Sequence, residues 1–262
     1  MAAPYDGVIL GAGHGGWAGF DSDGNQPHTM ELGGEVLRGY YTTPARNGKR
    51  FTFTDLRPPQ FVAEGVLNRW IMAGVIAAYI DEGVYPHDCI TMRQWKRAPH
   101  WTELEQRDVS LTERVAYCRL HRELPYVSIH CNAQGMTNTG PSRPKRGTQI
   151  FTHPGETGAD GIARAMLPAL DAALQGWGSA SRGDWKTSIH EANFHVLRKT
   201  PQEAVLVECG YFDNADDAAF LASVNAPRLF GRGIVAATMP LLNPPHRRNR
   251  YRFRRSSSRA QS

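Results

Sequence analysis

The sequence predicts a single α/β domain built on a mostly parallel, twisted sheet with helices on both faces. Three observations carry this reading. Short apolar runs at residues 8–10, 126–129 and 204–207 alternate with stretches of helical period, the order expected of strands joined through crossover helices. The run at 204–207 has no polar break, as a strand covered on both faces requires. A chain of 262 residues with 41% hydrophobic content is also long enough for one large core.

The elements follow in order. The run at 8–10 breaks into Gly11, Ala12, Gly13, His14, Gly15 and Gly16, which matches the G-x-G-x-x-G of a dinucleotide fingerprint. That fingerprint needs a helix opening at its last glycine, and residues 17–27 are turn formers without helical period, so the stretch reads instead as a strand end presenting an imidazole over bare backbone. Between residues 38 and 55, aromatic and threonine residues flank Asn47 and Gly48, a type I′ turn signal that predicts a hairpin inside an insertion. From Glu64, the residues Leu67, Trp70, Ile71, Val75 and Ala78 recur at three and four until Gly83 stops the helix. Residues 89–92 read as a short strand. Ser110 and Glu113 have the spacing of a capping box, with Leu111, Val115 and Cys118 as the buried stripe behind it. Pro125 closes that helix, and strands are expected at 126–130 and 147–152. Ile162, Met166, Leu170 and Leu174 mark a further helix that Pro168 should kink or divide. Residues 176–186 form a Gly/Ser/Trp loop, and 194–197 is another short apolar run. Asn214 is placed to cap a helix with Asp216 and Asp217 in its first turn. A last helical stretch, residues 229–242, is weakened by Gly231, Gly233 and Pro240.

Charge and cysteine content narrow the function. The formal charge is +5, but residues 246–262 carry seven arginines and no acid, which leaves the rest slightly acidic. The folded body is therefore not expected to bind nucleic acid, and the tail at 244–262 is expected to be disordered and drawn to anionic envelope polymers. A non-enzymatic reading of the chain, as a binder of nucleic acid or anionic surfaces, would rest on that tail alone. No basic start followed by an apolar segment opens the sequence, so no secretion signal is legible. The longest apolar run, residues 70–80, falls short of the roughly 20 residues that cross a bilayer. Cys89, Cys118, Cys131 and Cys209 lack close pairing and read as buried small hydrophobes.

Three strand ends offer chemistry: His14, His130 and Glu208. An ionised glutamate directly after four apolar residues is costly to bury unless it is paired, hydrogen-bonded or close to a metal. Two imidazoles and a carboxylate are the set that holds a catalytic zinc, and a second carboxylate is then needed as base. Glu64 as ligand with Glu208 as base is one assignment. Glu31 and Glu35 lie closer to His14 in sequence and compete for the ligand role, and the residues alone leave that choice open. A thiol hydrolase using Cys131 or Cys209 is the rival chemistry, opposed by strand alternation, which turns neighbours of His130 and Glu208 to the other face. Asn132 suits substrate orientation or a local turn, and His153, His190 and His195 suit the cleft or the surface. Trp177 and Trp185 suit stacking on substrate or covering the core.

In this order the blocks Gly13-His14-Gly15-Gly16, Glu64 with Leu67 and Asn68, residues 111–114, Ser128 to Ala133, Val196 to Thr200, and Val205 to Asn214 make the chain similar to a known family. It resembles the zinc-dependent N-acetylmuramoyl-L-alanine amidases of the amidase-3 type, peptidoglycan hydrolases of cell-wall remodelling and phage lysis. The resemblance spans residues 8 to about 221. It implies a phosphorylase/hydrolase-like fold, a catalytic domain at 1–243, Zn2+ on His14, Glu64 and His130, and Glu208 as the catalytic glutamate. The implied substrate is peptidoglycan, cut between N-acetylmuramic acid and L-alanine. Family members place the ligand glutamate sooner after the first histidine, so Glu64 requires an insertion at about 22–60. The frame downstream of Glu64 supports it over Glu31 and Glu35. A chain of this family without a legible signal is expected to be made in the cytoplasm and to act at the cell wall, as a phage endolysin does.

Overall fold

A computed structural model describes residues 6–15, 17–18, 28–41, 49–58, 60–88, 108–135, 137–175 and 187–242. Strand β1 (Ile9–Ala12) grows from the first apolar run and is buried throughout. β2 (Trp17–Ala18), β3 (His28–Leu32) and β4 (Glu35–Tyr41) form a small sheet in the order β2-β4-β3. β5 (Arg50–Phe53) pairs antiparallel with β6 (Phe61–Ala63), and α1 (Glu64–Asp81) follows at once. Next come β7 (His87–Asp88), α2 (Leu111–Leu120), β8 (Tyr126–Asn132) and β9 (Thr139–Gly140), the last lying parallel to β5. The remainder is β10 (Thr148–Thr152), α3 (Ala159–Gln175), β11 (Thr187–Glu191), α4 (His195–Lys199), β12 (Ala204–Tyr211), α5 (Ala215–Leu221) and α6 (Asn225–Thr238).

The main sheet has the order β11-β10-β12-β8-β1-β7 and is parallel except where β10 meets β12. Alternation along its strands builds two cores. Leu10, Ala12, Val127, Ile129, Val205 and Val207 face α1, α3 and α6, whereas Ile9, Tyr126 and Leu206 meet Cys118 of α2 and Val196 and Leu197 of α4. Helices thus cover both faces, as expected. The same alternation turns His130 and Glu208 toward the α2/α4 face and Cys131 and Cys209 into the larger core.

Several local expectations hold. Ser110 accepts from Glu113 N while the Glu113 carboxylate accepts from Ser110 N, and Asn214 accepts from Asp217 N. Others are corrected. The hairpin expected around Asn47 and Gly48 is not how β4 pairs: it folds back on β3 through Gly33 and Gly34, both at positive φ, the two-residue turn that matches strand twist. Residues 42–48 lie outside the described residues. Pro168 does not divide α3, whose face of Ile162, Met166, Leu170 and Leu174 is buried against the core containing α6. That burial outweighs the roughly 3 kcal/mol cost of an interior proline. The apolar run at 194–197, left without an element type by its sequence, supplies the extended N-cap Phe194 and the inward-packed Val196 and Leu197 of α4. The strand expected at 89–92, the loop at 176–186 and the tail at 244–262 lie outside the described residues. Met30, Leu32, Phe51 and Phe53, from the segment read as an insertion, belong to the same core as the main sheet.

The C-terminal end of β12 is fastened by Asp217, which accepts from Tyr211 N at 3.0 Å, Gly147 N at 3.1 Å and Arg146 Nε at 3.2 Å. Asp217→Ala would strip two backbone donors and a guanidinium of this acceptor in a buried setting. The expected cost is about 3 kcal/mol in denaturant unfolding, and a loss under about 1 kcal/mol would show the knot to be redundant.

Candidate metal centre

The centre is assembled where β1 ends and α1 begins. Gly13 has no side chain because the His130 ring occupies that space, and a Cβ on Gly65 would fall 2.9 Å from the Gly15 backbone. The two contacts press the His14 turn between β8 and the first turn of α1. His14 itself sits at φ 52°, the left-handed region where a side chain is strained. Three successive carbonyls hold it there. Ala12 O accepts from Arg114 Nη1 at 2.6 Å, Gly13 O from Asn68 Nδ2 at 2.9 Å, and His14 O from Arg69 Nη1. All three donor residues are buried.

Glu64 opens α1 and is 2% exposed, with its N–H donated to Lys49 O at 2.8 Å. Its Oε1 lies 3.2 Å from His130 Nδ1 and 3.6 Å from His14 Nε2, and the two imidazole rings stand nearly perpendicular at 5.0 Å. Ligand atoms of His14, Glu64 and His130 all fall within 4.8 Å of one another, so one metal ion can touch all three. Oε1 also accepts from Asn68 Nδ2 at 3.1 Å and Cys131 N at 3.4 Å, while Lys49 Nζ stands 3.7 Å from Oε2.

Electrostatics suit the same use. Burial pushes His14 down to about 3 and also lowers His130, against the pull of Glu64, so both imidazoles are neutral with lone pairs to give. Burial works to raise Glu64, but the neighbouring imidazoles and Lys49 outweigh it and keep the carboxyl below its usual range. Glu208 is the opposite case. Burial first, and the Glu64 charge second, push it well above the usual carboxylate range, and its buried Oε2 has no hydrogen-bond partner among the described residues. Such an orphaned oxygen beside two neutral imidazoles and a carboxylate fits a site made for a cation.

His14, Glu64 and His130 are therefore brought together, and Glu208 lines with His14 and His130 a cavity of about 540 Å³ whose wall also includes Leu111 of α2 and Phe194 and His195 at α4. Glu31 and Glu35 stay exposed on the β3–β4 hairpin. Cys131 and Cys209 are buried on the far face, where burial raises their thiols, so neither reaches the cavity. Asn132 makes its local turn with Ala133 N, yet its Nδ2 also donates to Gln149. His153 bonds Pro154 O at the surface, and His190 is exposed on β11. Gly16, Trp177 and Trp185 lie outside the described residues.

Sequence reasoning missed Asn68 and Arg69 as supports and Lys49 altogether. The first two had a signal: polar residues four and five positions after Glu64, inside an apolar helix. Lys49 had none, because only the β5–β6 register, Arg50 against Ala63, sets it opposite Glu64.

Residues 92–238 match the family described as N-acetylmuramoyl-L-alanine amidase, a span that includes His130 and Glu208 but not His14 or Glu64. The N-acetylmuramoyl-L-alanine amidase CwlM of Bacillus licheniformis is 33% identical over 130 residues, which is 48% of this chain and 43% of that protein. The chain thus spans less than half the length of this curated relative. Among solved structures, the catalytic domain of the amidase CwlV from Paenibacillus polymyxa var. colistinus superposes with a TM-score of 0.57 at 20% identity, covering 90% of this chain and 98% of that one. The N-acetylmuramoyl-L-alanine amidase of Clostridium difficile 630 gives 0.58 at 16% identity, covering 90% and 96%. At these identities the likeness is one of fold. The sequence match takes in more than half of the chain, and on that ground the chain belongs to the N-acetylmuramoyl-L-alanine amidase family.

Proposed function

We propose that the chain hydrolyses the amide joining the lactyl group of N-acetylmuramic acid to L-alanine in peptidoglycan, with zinc on His14, Glu64 and His130 and with Glu208 as general base. The observation that carries this reading is the three-ligand cluster, two of whose members, His14 and His130, line a cavity together with Glu208, whose Oε2 has no hydrogen-bond partner among the described residues. Bound there, zinc would supply the acidity that makes a water nucleophilic near neutral pH and would polarise the amide carbonyl. Glu208 Oε2 takes the proton of the attacking water and hands it to the amine nitrogen of the departing L-alanine. Lys49 neutralises the second oxygen of Glu64, and the apolar surfaces of Leu111 and Phe194 leave room for a bulky glycopeptide. The place of action is then the cell wall, to whose anionic polymers the seven arginines between residues 247 and 259 would be drawn. No described helix is long and apolar enough to cross a membrane.

Glu208→Gln should retain stoichiometric zinc by elemental analysis while muropeptide hydrolysis falls at least about 100-fold. Loss of the metal with the substitution would instead make Glu208 a ligand. The pH linkage has a definite sign. Burial and the Glu64 charge make Glu208 hold its proton to higher pH than an ordinary carboxyl in the metal-free protein, and a neighbouring dication favours the ionised form. Zinc uptake by the wild type should therefore release more protons than uptake by Glu208→Gln, measured calorimetrically in buffers of different ionisation enthalpy. Equal release by both would remove Glu208 from the neighbourhood of the ion.

Asn68→Ala should weaken zinc binding about 10- to 100-fold in competition with a chelating dye, since Asn68 orients both Glu64 and the His14 turn. Unchanged affinity would mean that the turn holds without it. A chelator should abolish cleavage and a thiol alkylator should not, and the reverse pattern would restore the cysteine chemistry.

A further inference from the structure

The row of side chains that includes His130 and Glu208 continues across the sheet. Register sets Gln149 of β10 beside Glu208 and Ser188 of β11 beside Gln149, so four strands contribute neighbours on the α2/α4 face. Gln149 is fixed from behind. Its Oε1 accepts from Asn132 Nδ2 at 2.7 Å and Tyr211 OH at 3.0 Å, which makes Nε2 the outward end, 3.0 Å from His190 Nε2. His190 Nε2 in turn lies 2.8 Å from Ser188 Oγ. An aromatic strip accompanies these polar groups: the Phe151 ring is 5.2 Å from Phe194 and 5.4 Å from His190, and Phe194 is 39% exposed where it lines the cavity. The row starts half-buried at Gln149 and reaches the surface at His190.

Chemistry gives the row a direction. The strand order places the His14 side on one flank of His130 and Glu208 on the other, with β10 and β11 beyond it. The amine that leaves must sit where Glu208 delivers its proton, so the peptide half of the substrate lies on the Glu208 side and continues toward Gln149. Glu208 and Ser188 are two strand spacings apart, roughly 10 Å, which about three residues of extended peptide cover.

We infer that Gln149, Ser188, His190 and Phe194 form a subsite for the stem peptide beyond its L-alanine. Gln149 Nε2 donates its second proton to a main-chain carbonyl oxygen of that peptide, Ser188 Oγ accepts from a main-chain N–H, and Phe194 lies along its apolar side. This subsite rests on the amidase reading of the cavity.

The test compares zinc-loaded wild type with Gln149→Ala, Gln149→Glu and the exposed-site variant His190→Ala. Free stem pentapeptide is titrated into each by calorimetry, and kcat/KM is measured on N-acetylmuramoyl-L-alanine and on the N-acetylmuramoyl pentapeptide. Each substitution should weaken pentapeptide binding roughly tenfold and cut the preference for the pentapeptide substrate to the same degree, through KM, as loss of a hydrogen bond or two predicts. Gln149→Glu keeps the shape but loses the donor and should follow Gln149→Ala. Wild type that does not bind pentapeptide, or variants that lose equally on both substrates, overturn the subsite. Wild type that binds pentapeptide with the expected variant pattern but cleaves neither substrate overturns the amidase reading and leaves the subsite standing.

Discussion

The centre depends on how three consecutive carbonyls are held. A left-handed histidine costs roughly 1–2 kcal/mol against the ordinary helical or extended backbone. Against this, Arg114, Asn68 and Arg69 each donate to one of the carbonyls of Ala12, Gly13 and His14, and bonds from charged donors contribute about 1.5–3 kcal/mol each. The balance favours the strained turn. The dependence also runs the other way, because two buried guanidiniums need acceptors, and Ala12 O and His14 O supply them. Removing one member therefore leaves a buried charge short of a partner as well as a freed turn.

Helix α1 acts as the bracket between this turn and the rest of the molecule. It contributes Glu64 to the cluster, Gly65 to the contact with Gly15, and Asn68 and Arg69 to the carbonyls, all within its first two turns. Its far end is tied to α6 by the bond between Tyr79 OH and Thr238 Oγ1, and Trp70 Nε1 donates to Ser223 O at 3.0 Å. Packing in the larger core thus sets the position of a carboxylate on the other side of the sheet edge. Burial of Val66, Leu67, Ile71, Met72 and Val75 anchors the helix, and a change there moves Glu64 relative to His130.

What was legible in the sequence follows from the range of the interactions. His130 and Glu208 could be placed because alternation along one strand decides their face, and Ser110 and Asn214 could be placed because a cap is a contact over three residues. Glu64 was not separable from Glu31 and Glu35 by its own surroundings, since its partners lie 50 and 66 positions away. The family resemblance supplied that choice, and the structure sets the ligand atoms of His14, Glu64 and His130 within 4.8 Å of one another. Pairing of β4 was misjudged because two turn signals, Gly33-Gly34 and Asn47-Gly48, compete locally and only the packing of Met30, Leu32 and Leu37 decides between them. Residues 194–197 show the same limit in smaller form: four residues are too few for period 2 and period 3.6 to differ. Lys49 and Gln149 act through register across strands, which no single stretch of sequence records.

Glu64 and Glu208 show how neighbouring environments drive the same functional group in opposite directions. Glu64 accepts from an amide and a backbone N–H, and two imidazoles and an ammonium stand within 3.7 Å of its carboxylate. Glu208 has an orphaned oxygen and an ionised neighbour. With Glu64 ionised, a second negative charge in the same low-dielectric space is unfavourable, so the proton goes to Glu208. Environments that drive paired carboxyls apart in this way are how an enzyme separates a permanent anion from a group that exchanges protons. The separation depends on Lys49 and Asn68 staying on the Glu64 side. If either donor favoured Glu208 instead, the two environments would converge, with two half-neutralised carboxyls in place of one held low and one held high.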